Sequence, residues 1–234
     1  TLRGSRLVEV NQPWDEDAPS VARLREQGAV FLGKTTTPEF GWKGVTDSPL
    51  TGITRNPWNP EMTPGGSSGG AAVAAATGMG ALHIGTDGGG SVRIPASFTG
   101  IVGFKATFGR VPAHPLSPFG TLANVGPMTR SVGDAALMLS VMSRPDRRDC
   151  YTLPIERPDY HETLNGNIAG WRIAYAPSLC GEKVDPEIAS AIARAAKAFE
   201  ALGARVEEVA PPLKPSLATF QTLWFSGAAF LIQQ

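Results

Sequence analysis

Residues 63–100 read TPGGSSGG AAVAAATGMG ALHIGTDGGG SVRIPASFTG, and this stretch decides both fold and chemistry. It holds two glycine–serine runs, Gly65-Gly66-Ser67-Ser68-Gly69-Gly70 and Gly88-Gly89-Gly90-Ser91. Alone, a Gly/Ser hexamer reads as a flexible linker and a glycine triplet as a turn. The segment between them argues otherwise. Residues 71–80 are Ala-rich and predict a buried helix, and 81–85 form a short apolar run that predicts a strand. A linker does not run into a packed helix, a strand and a second glycine turn.

The residue types suit acyl chemistry. A serine after a glycine run is open to close approach, because no preceding side chain blocks a substrate. Successive glycine N–H groups can converge on one oxygen and stabilise negative charge there, and a following helix N-terminus adds to that field. Gly88, Gly89, Gly90 and Ser91 therefore have the makings of an oxyanion site plus a nucleophile. The alternative is a phosphate cradle. Neither run is followed by Lys and Ser or Thr in the nucleotide-loop manner, which makes that reading poor.

At these residues the chain resembles the amidase signature family. The motifs are the GGSSGG run, the GTDGGGSVRIPASFTG run from Gly85 to Gly100, and the separation of Ser67 from Ser91. Residues 28–40 (GAVFLGKTTTPEF), 55–58 (RNPW), 100–105 (GIVGFK) and 126–139 (GPMTRSVGDAALML) also look like family text. The resemblance covers 1–143 and weakens toward the end. It implies a Ser-Ser-Lys triad that cleaves amides, with Ser91 matching the nucleophile. Ser67, after a cis peptide bond, matches the bridging serine, and its hydroxyl is expected within hydrogen-bond reach of Ser91. Gly88, Gly89 and Gly90 match the oxyanion loop. The family lysine lies just upstream of a segment that here matches Thr1, Gly4 and Ser5, so the resemblance puts it before residue 1. The chain is accordingly expected to be an interior fragment, inactive without that lysine.

Around the serines, Ser68 is expected to cap the helix that follows. Asp87 and Arg93 are expected to hold the loop through hydrogen bonds and an ion pair. Thr86 either touches substrate or ends the strand, and the sequence does not separate the two. A Ser-His-Asp triad is disfavoured: His83 lies on an apolar strand, and His114 and His161 lie in connections with no motif tying them to the serines. Trp14, Trp42 and Trp58 read as packing residues.

The rest of the sequence supplies context. The chain has 234 residues with 21 basic and 21 acidic side chains, so electrostatics offers no case for nucleic acid or an anionic membrane. No signal peptide or membrane span is visible. Cys150 and Cys180 have neither metal nor redox spacing and suit a reducing cytoplasm. Helices are predicted over 19–27, 131–142 and 185–202, and strands over 29–32, 171–175 and 204–209. Ile188, Ile192, Ala195, Phe199 and Leu202 form one apolar stripe of the 185–202 helix. This alternation predicts an α/β fold, and the resemblance implies a mixed central sheet covered by helices on both faces. One domain spans 1–234, with 1–143 as the catalytic core, 144–170 as a surface connection and 171–234 as a following α/β region.

Function as the resemblance implies it is hydrolysis of a small-molecule carboxamide through an acyl-serine. No metal or organic cofactor, no nucleic-acid partner and no membrane are expected, and a homodimer is a candidate assembly. Two rivals stand beside it. One is the A subunit of a glutamyl-tRNA amidotransferase, which carries Thr where this chain has Gly88 and Gln where it has Ile94. The other is an inactive scaffold of the same fold.

Overall fold

The structure is a computed structural model describing residues 2–8, 15–154, 159–214 and 216–233. In chain order the elements are α1 (Pro19–Glu26), β1 (Asp47–Ser48), β2 (Gly52–Ile53), α2 (Gly69–Ala76), β3 (Leu82–Asp87), α3 (Arg93–Thr99), β4 (Val102–Gly103), β5 (Asn124–Thr129), α4 (Val132–Met142), β6 (Arg172–Tyr175), α5 (Pro186–Ala201), β7 (Arg205–Glu208) and α6 (Leu217–Gln233). The class is mixed α/β. The described strands form three separate sheets: the β1–β2 pair, an antiparallel sheet in the order β3-β5-β4, and the parallel β6–β7 pair.

The chain divides into two compact units, residues 1–164 with 224–234, and residues 165–223. The second half of α6 groups with the first unit. In the first unit, β5 pairs along β3 from Leu82↔Thr129 to Asp87↔Asn124. One cluster behind this sheet joins Ala71 and Ala72 of α2 to Val92 and Met128. A second joins Leu24 of α1 to Met138, Leu139 and Met142 of α4, with Ala106 and Val111. Small α2 side chains let the helix sit close against β3 and β5, which fixes where both glycine–serine runs emerge.

Local signals explain most element ends. The Ser131 hydroxyl accepts from the Asp134 N–H at 3.0 Å, and Asp185 accepts from the Glu187 N–H at 2.9 Å. Helix α3 ends on Gly100 in the left-handed region, and its last carbonyls are served by the 55–58 motif. The Asn56 amide donates to Phe98 at 2.9 Å and the Trp58 indole to Thr99 at 2.7 Å. The connection after α4 is anchored at its start. Buried Asp146 accepts from the Arg148 guanidinium at 2.8 and 3.0 Å, which holds its carboxyl well below the usual range; Arg23 lies 3.6 Å away.

One expectation fails here. Residues 29–32 form no strand: Val30 and Leu32 are 84% and 80% exposed and have no strand partner among the described residues. A short continuous apolar run needs a neighbouring strand to pair with. In the second unit, α5 lies on β7, yet Ile188, Ile192, Phe199 and Leu202 of its stripe are exposed. Trp14 lies outside the described residues. No described helix is long and apolar enough to cross a membrane.

Candidate active site

The first glycine–serine run is shaped by close approach. A Cβ on Gly66 would meet the Val45 backbone at 2.7 Å, and one on Gly70 would collide with the Thr36 backbone. The Gly66–Ser67 peptide is cis. Helix α2 starts at Gly69, with Ser68 at the N-cap position, but the Ser68 hydroxyl does not cap the helix. It accepts from the Thr86 N–H at 3.1 Å and faces the Thr86 carbonyl at 3.3 Å. Ser68 thus ties the first run to β3. Capping falls to Thr46, a buried residue that sequence reasoning misses. Its hydroxyl accepts from the Gly69 N–H at 3.2 Å and donates to the Gly65 carbonyl at 2.8 Å, while the Gly70 N–H donates to the Thr36 carbonyl at 3.2 Å. Both partners are distant in sequence, so no local pattern announces them.

The second run is shaped by a carboxylate. Asp87, 1% exposed at the end of β3, turns back over its own loop. It accepts from the backbone N–H groups of Gly90 at 2.8 Å, Val92 at 3.2 Å and Arg93 at 3.3 Å. It also accepts from Nε and a terminal nitrogen of Arg93, both at 2.9 Å. Burial is the largest single influence on Asp87 and opposes its ionisation. The Arg93 hydrogen bond and charge, with the Gly90 and Val92 N–H groups, outweigh burial and hold the carboxyl below its ordinary value.

This arrangement corrects one element of the expected oxyanion loop. The Gly90 N–H is already committed to Asp87. The N–H groups of Gly88, Gly89 and Ser91 have no acceptor among the described residues. Of these three residues, Gly88 and Ser91 line a cavity shared with Ser67.

The two serine segments meet directly, since the Ser68 N–H donates to the Ser91 carbonyl at 3.2 Å. Ser67 and Ser91 line the same cavity of about 500 Å³, together with Thr86, Asp87 and Gly88. No hydrogen bond joins the two serine hydroxyls among the described residues, contrary to expectation. The contact between their segments is made by backbone, and the Ser67 hydroxyl lies toward Gly41, 3.9 Å from where a Cβ there would stand. The Ser67 carbonyl accepts from the Thr37 hydroxyl at 3.2 Å.

The basic side chains sort clearly. No lysine lines the cavity among the described residues. Lys43 pairs with Asp47 at 2.8 Å, and Lys105 donates to the Ala106 carbonyl at 3.0 Å. The His83 ring lies 3.1 Å from the Met79 carbonyl, and His161 sits against Gly133. His114 does line the cavity, as does Arg3. The described residues contain no group of three or more His, Cys, Asp or Glu able to hold a metal.

Aromatic residues close part of the wall. Trp224 of α6 stacks on Phe119, with ring centroids 4.3 Å apart and planes at 21°. Its ring reaches within 3.1 Å of the position a Cβ on Gly88 would take. Nothing in the local sequence links position 224 to position 88.

Comparison with known proteins places this geometry. The family model described as Amidase matches residues 1–233. The A subunit of the glutamyl-tRNA(Gln) amidotransferase from Syntrophus aciditrophicus is 44% identical over 84% of this chain and 41% of its own length. An acylamidase from Rhodococcus erythropolis is 44% identical over 91% of this chain and 45% of its own length. A bacterial aryl acylamidase of solved structure superposes with a TM-score of 0.82 at 36% identity, covering 90% of this chain and 44% of its own. The chain therefore spans less than half the length of these relatives.

These findings overturn the expectation of a small-molecule partner without nucleic acid. Several relatives carry a name that specifies a glutamyl-tRNA and one subunit of an amidotransferase. Zero net charge describes this chain alone, and one member of an assembly need not itself carry the electrostatics of nucleic-acid binding. With a family match over nearly its whole length and a shared fold, the chain belongs to the amidase family, whose solved members include amidase signature enzymes.

Proposed function

We propose that this chain supplies the nucleophile, the proton relay and the oxyanion donors of an amide-cleaving centre. Ser91 Oγ bonds to the carboxamide carbon while its proton passes toward Ser67. The carbonyl oxygen becomes an oxyanion held by the N–H groups of Gly88, Gly89 and Ser91. Ser67 returns a proton to the nitrogen, the C–N bond breaks, and amine or ammonia departs. Water then cleaves the acyl-serine to carboxylate. The scheme uses no metal or organic cofactor. The observation that carries this reading is that both serine loops, bonded to each other through Ser68 and Ser91, open on one cavity lined by Gly88 and Ser91, whose N–H groups have no acceptor among the described residues.

A second reading is favoured by the relatives named for the A subunit of an amidotransferase. There the same amide cleavage serves a partner that takes up the ammonia. The two readings share the acyl-serine and differ in what happens to the released nitrogen. A cytoplasmic setting suits either, because Cys150 and Cys180 are both free thiols.

The test is covalent labelling of the full-length protein with a fluorophosphonate, followed by peptide mapping. The adduct is expected on Ser91, with Ser91→Ala abolishing it and lowering turnover by about a million-fold. An adduct on another residue sinks the assignment. The 234-residue span assayed alone is expected to turn over little, since no lysine reaches Ser67 among the described residues. Turnover comparable to that of the full-length protein would point instead to a base within this span, His114 on the cavity wall before His83 or Lys105.

A further inference from the structure

We infer that the Phe119–Trp224 pair forms an acyl-group wall, and that the carboxamide this centre accepts carries an apolar, planar acyl group. The inference rests on the acyl-serine reading above. Ser67 protonates the leaving nitrogen, so the amine side of the substrate faces Ser67 and its neighbour Gly41. Gly88 lies at the oxyanion position, so the other substituent of the carbonyl carbon, the acyl group, meets what borders Gly88. That border is the Trp224 ring, at 3.1 and 3.7 Å from the site of an absent Cβ.

The wall is firmly held. A Cβ on Gly227 would meet Phe119 Cδ1 at 2.7 Å and the Pro118 carbonyl at 2.8 Å, so α6 seats against this loop only because residue 227 is glycine. Leu116 and Leu231 continue the apolar surface of the cavity. Its carboxylates are already used: Asp149 accepts from the Ala113 and Tyr151 N–H groups at 2.9 and 2.8 Å, and Asp87 from Arg93. A flat apolar group stacks on such a surface, whereas a polar amide side chain would find no carboxylate free to receive it.

The glycine at 88 belongs to the same device. A Cβ there would press on the Trp224 ring at 3.1 Å, so Gly88 and Trp224 form one determinant contributed by distant parts of the chain.

The experiment uses the full-length protein and two acyl series with a common p-nitroaniline leaving group, benzoyl or phenylacetyl against acetyl. The wild type is expected to favour the aromatic acyl groups in kcat/KM. Trp224→Ala should lower that preference about tenfold, and Trp224→Phe should restore most of it. Phe119→Leu provides a second, milder variant, expected to shift the ratio in the same direction. Labelling of Ser91 by a fluorophosphonate is followed in parallel, and its absence in the wild type counts against the acyl-serine reading rather than the wall. A wild type favouring acetyl, or a ratio that neither Trp224→Ala nor Phe119→Leu moves, overturns the inference.

Discussion

The two glycine–serine runs look alike in sequence and are built on different physics. In the run from Gly65 to Gly70, the glycines are required by space: Val45, Thr36 and Thr46 pack where side chains would be. In the run from Gly88 to Ser91, the loop is shaped by charge: one buried carboxylate gathers three backbone N–H groups and a guanidinium. The first run is therefore governed by volume, and the second, although Trp224 limits the space at Gly88, answers in addition to ionisation. Similar composition conceals two separate ways of holding a serine in place.

The sharpest break of this contrast is Gly70→Ala. Its methyl group would collide with the Thr36 backbone, which cannot turn aside as a flexible side chain can. A loss of about 3 kcal/mol is expected, at the upper end for overpacking, read as a fall in the denaturation midpoint. Gly28→Ala is the control. It meets nothing within 4 Å but has φ +81°, so only the conformational cost of about 1 kcal/mol remains. Equal losses at the two positions would erase the spatial argument.

The second run answers to pH. Because the folded Asp87 carboxyl titrates below its ordinary value, its stabilisation is complete above the ordinary carboxylate range. That stabilisation is lost as pH falls through the lowered folded value. Urea midpoints measured from pH 7 down to pH 3 should fall for the wild type and fall less steeply for Asp87→Asn. At pH 7 the variant should cost about 2 kcal/mol, since buried N–H groups lose a charged acceptor. Gly70→Ala should leave the pH slope unchanged. Parallel pH profiles for wild type and Asp87→Asn would show that charge is not what shapes the loop.

The smallest effect separates Ser68 from Thr46. Thr46→Val removes the hydroxyl that caps α2, and Ser68→Ala removes the one that ties the first run to Thr86. Each should cost about 1 kcal/mol. Only Ser68→Ala should also slow labelling of Ser91, because that hydroxyl links the strand leading into the second run. Slowing by Thr46→Val alone would reverse the roles.

Legibility in the sequence follows the range of the interactions. Ser131 and Asp185 are readable as caps because each acts two or three residues away. The alternation of helices and strands is readable for the same reason. Ser68 is misread as a cap because its partner lies 18 residues on, and Thr46 escapes notice because it serves Gly69 from 23 residues back. The 29–32 run has strand composition but no neighbour to bond. The stripe of α5 has helical spacing, which fixes a face without saying what covers it. That Ser67 and Ser91 border one cavity is legible from motif alone. The commitment of the Gly90 N–H to Asp87, and the meeting of Trp224 with Gly88, are not, since both depend on how the loop and α6 close in space.

Thr46 also bears on how this region moves. A single hydroxyl donates to the Gly65 carbonyl and accepts from the Gly69 N–H, so it bridges the two ends of the segment holding Ser67 and Ser68. Such a bridge makes the segment and the first turn of α2 one cooperative opening unit, because neither end can be released while the hydroxyl keeps the other. Fraying, which ordinarily begins at a helix terminus, has no independent start here. The free energy for exposing Ser67 is then set by the packing of α2 on the sheet. The end of the loop that carries Ser67 inherits the rigidity of the buried helix behind it.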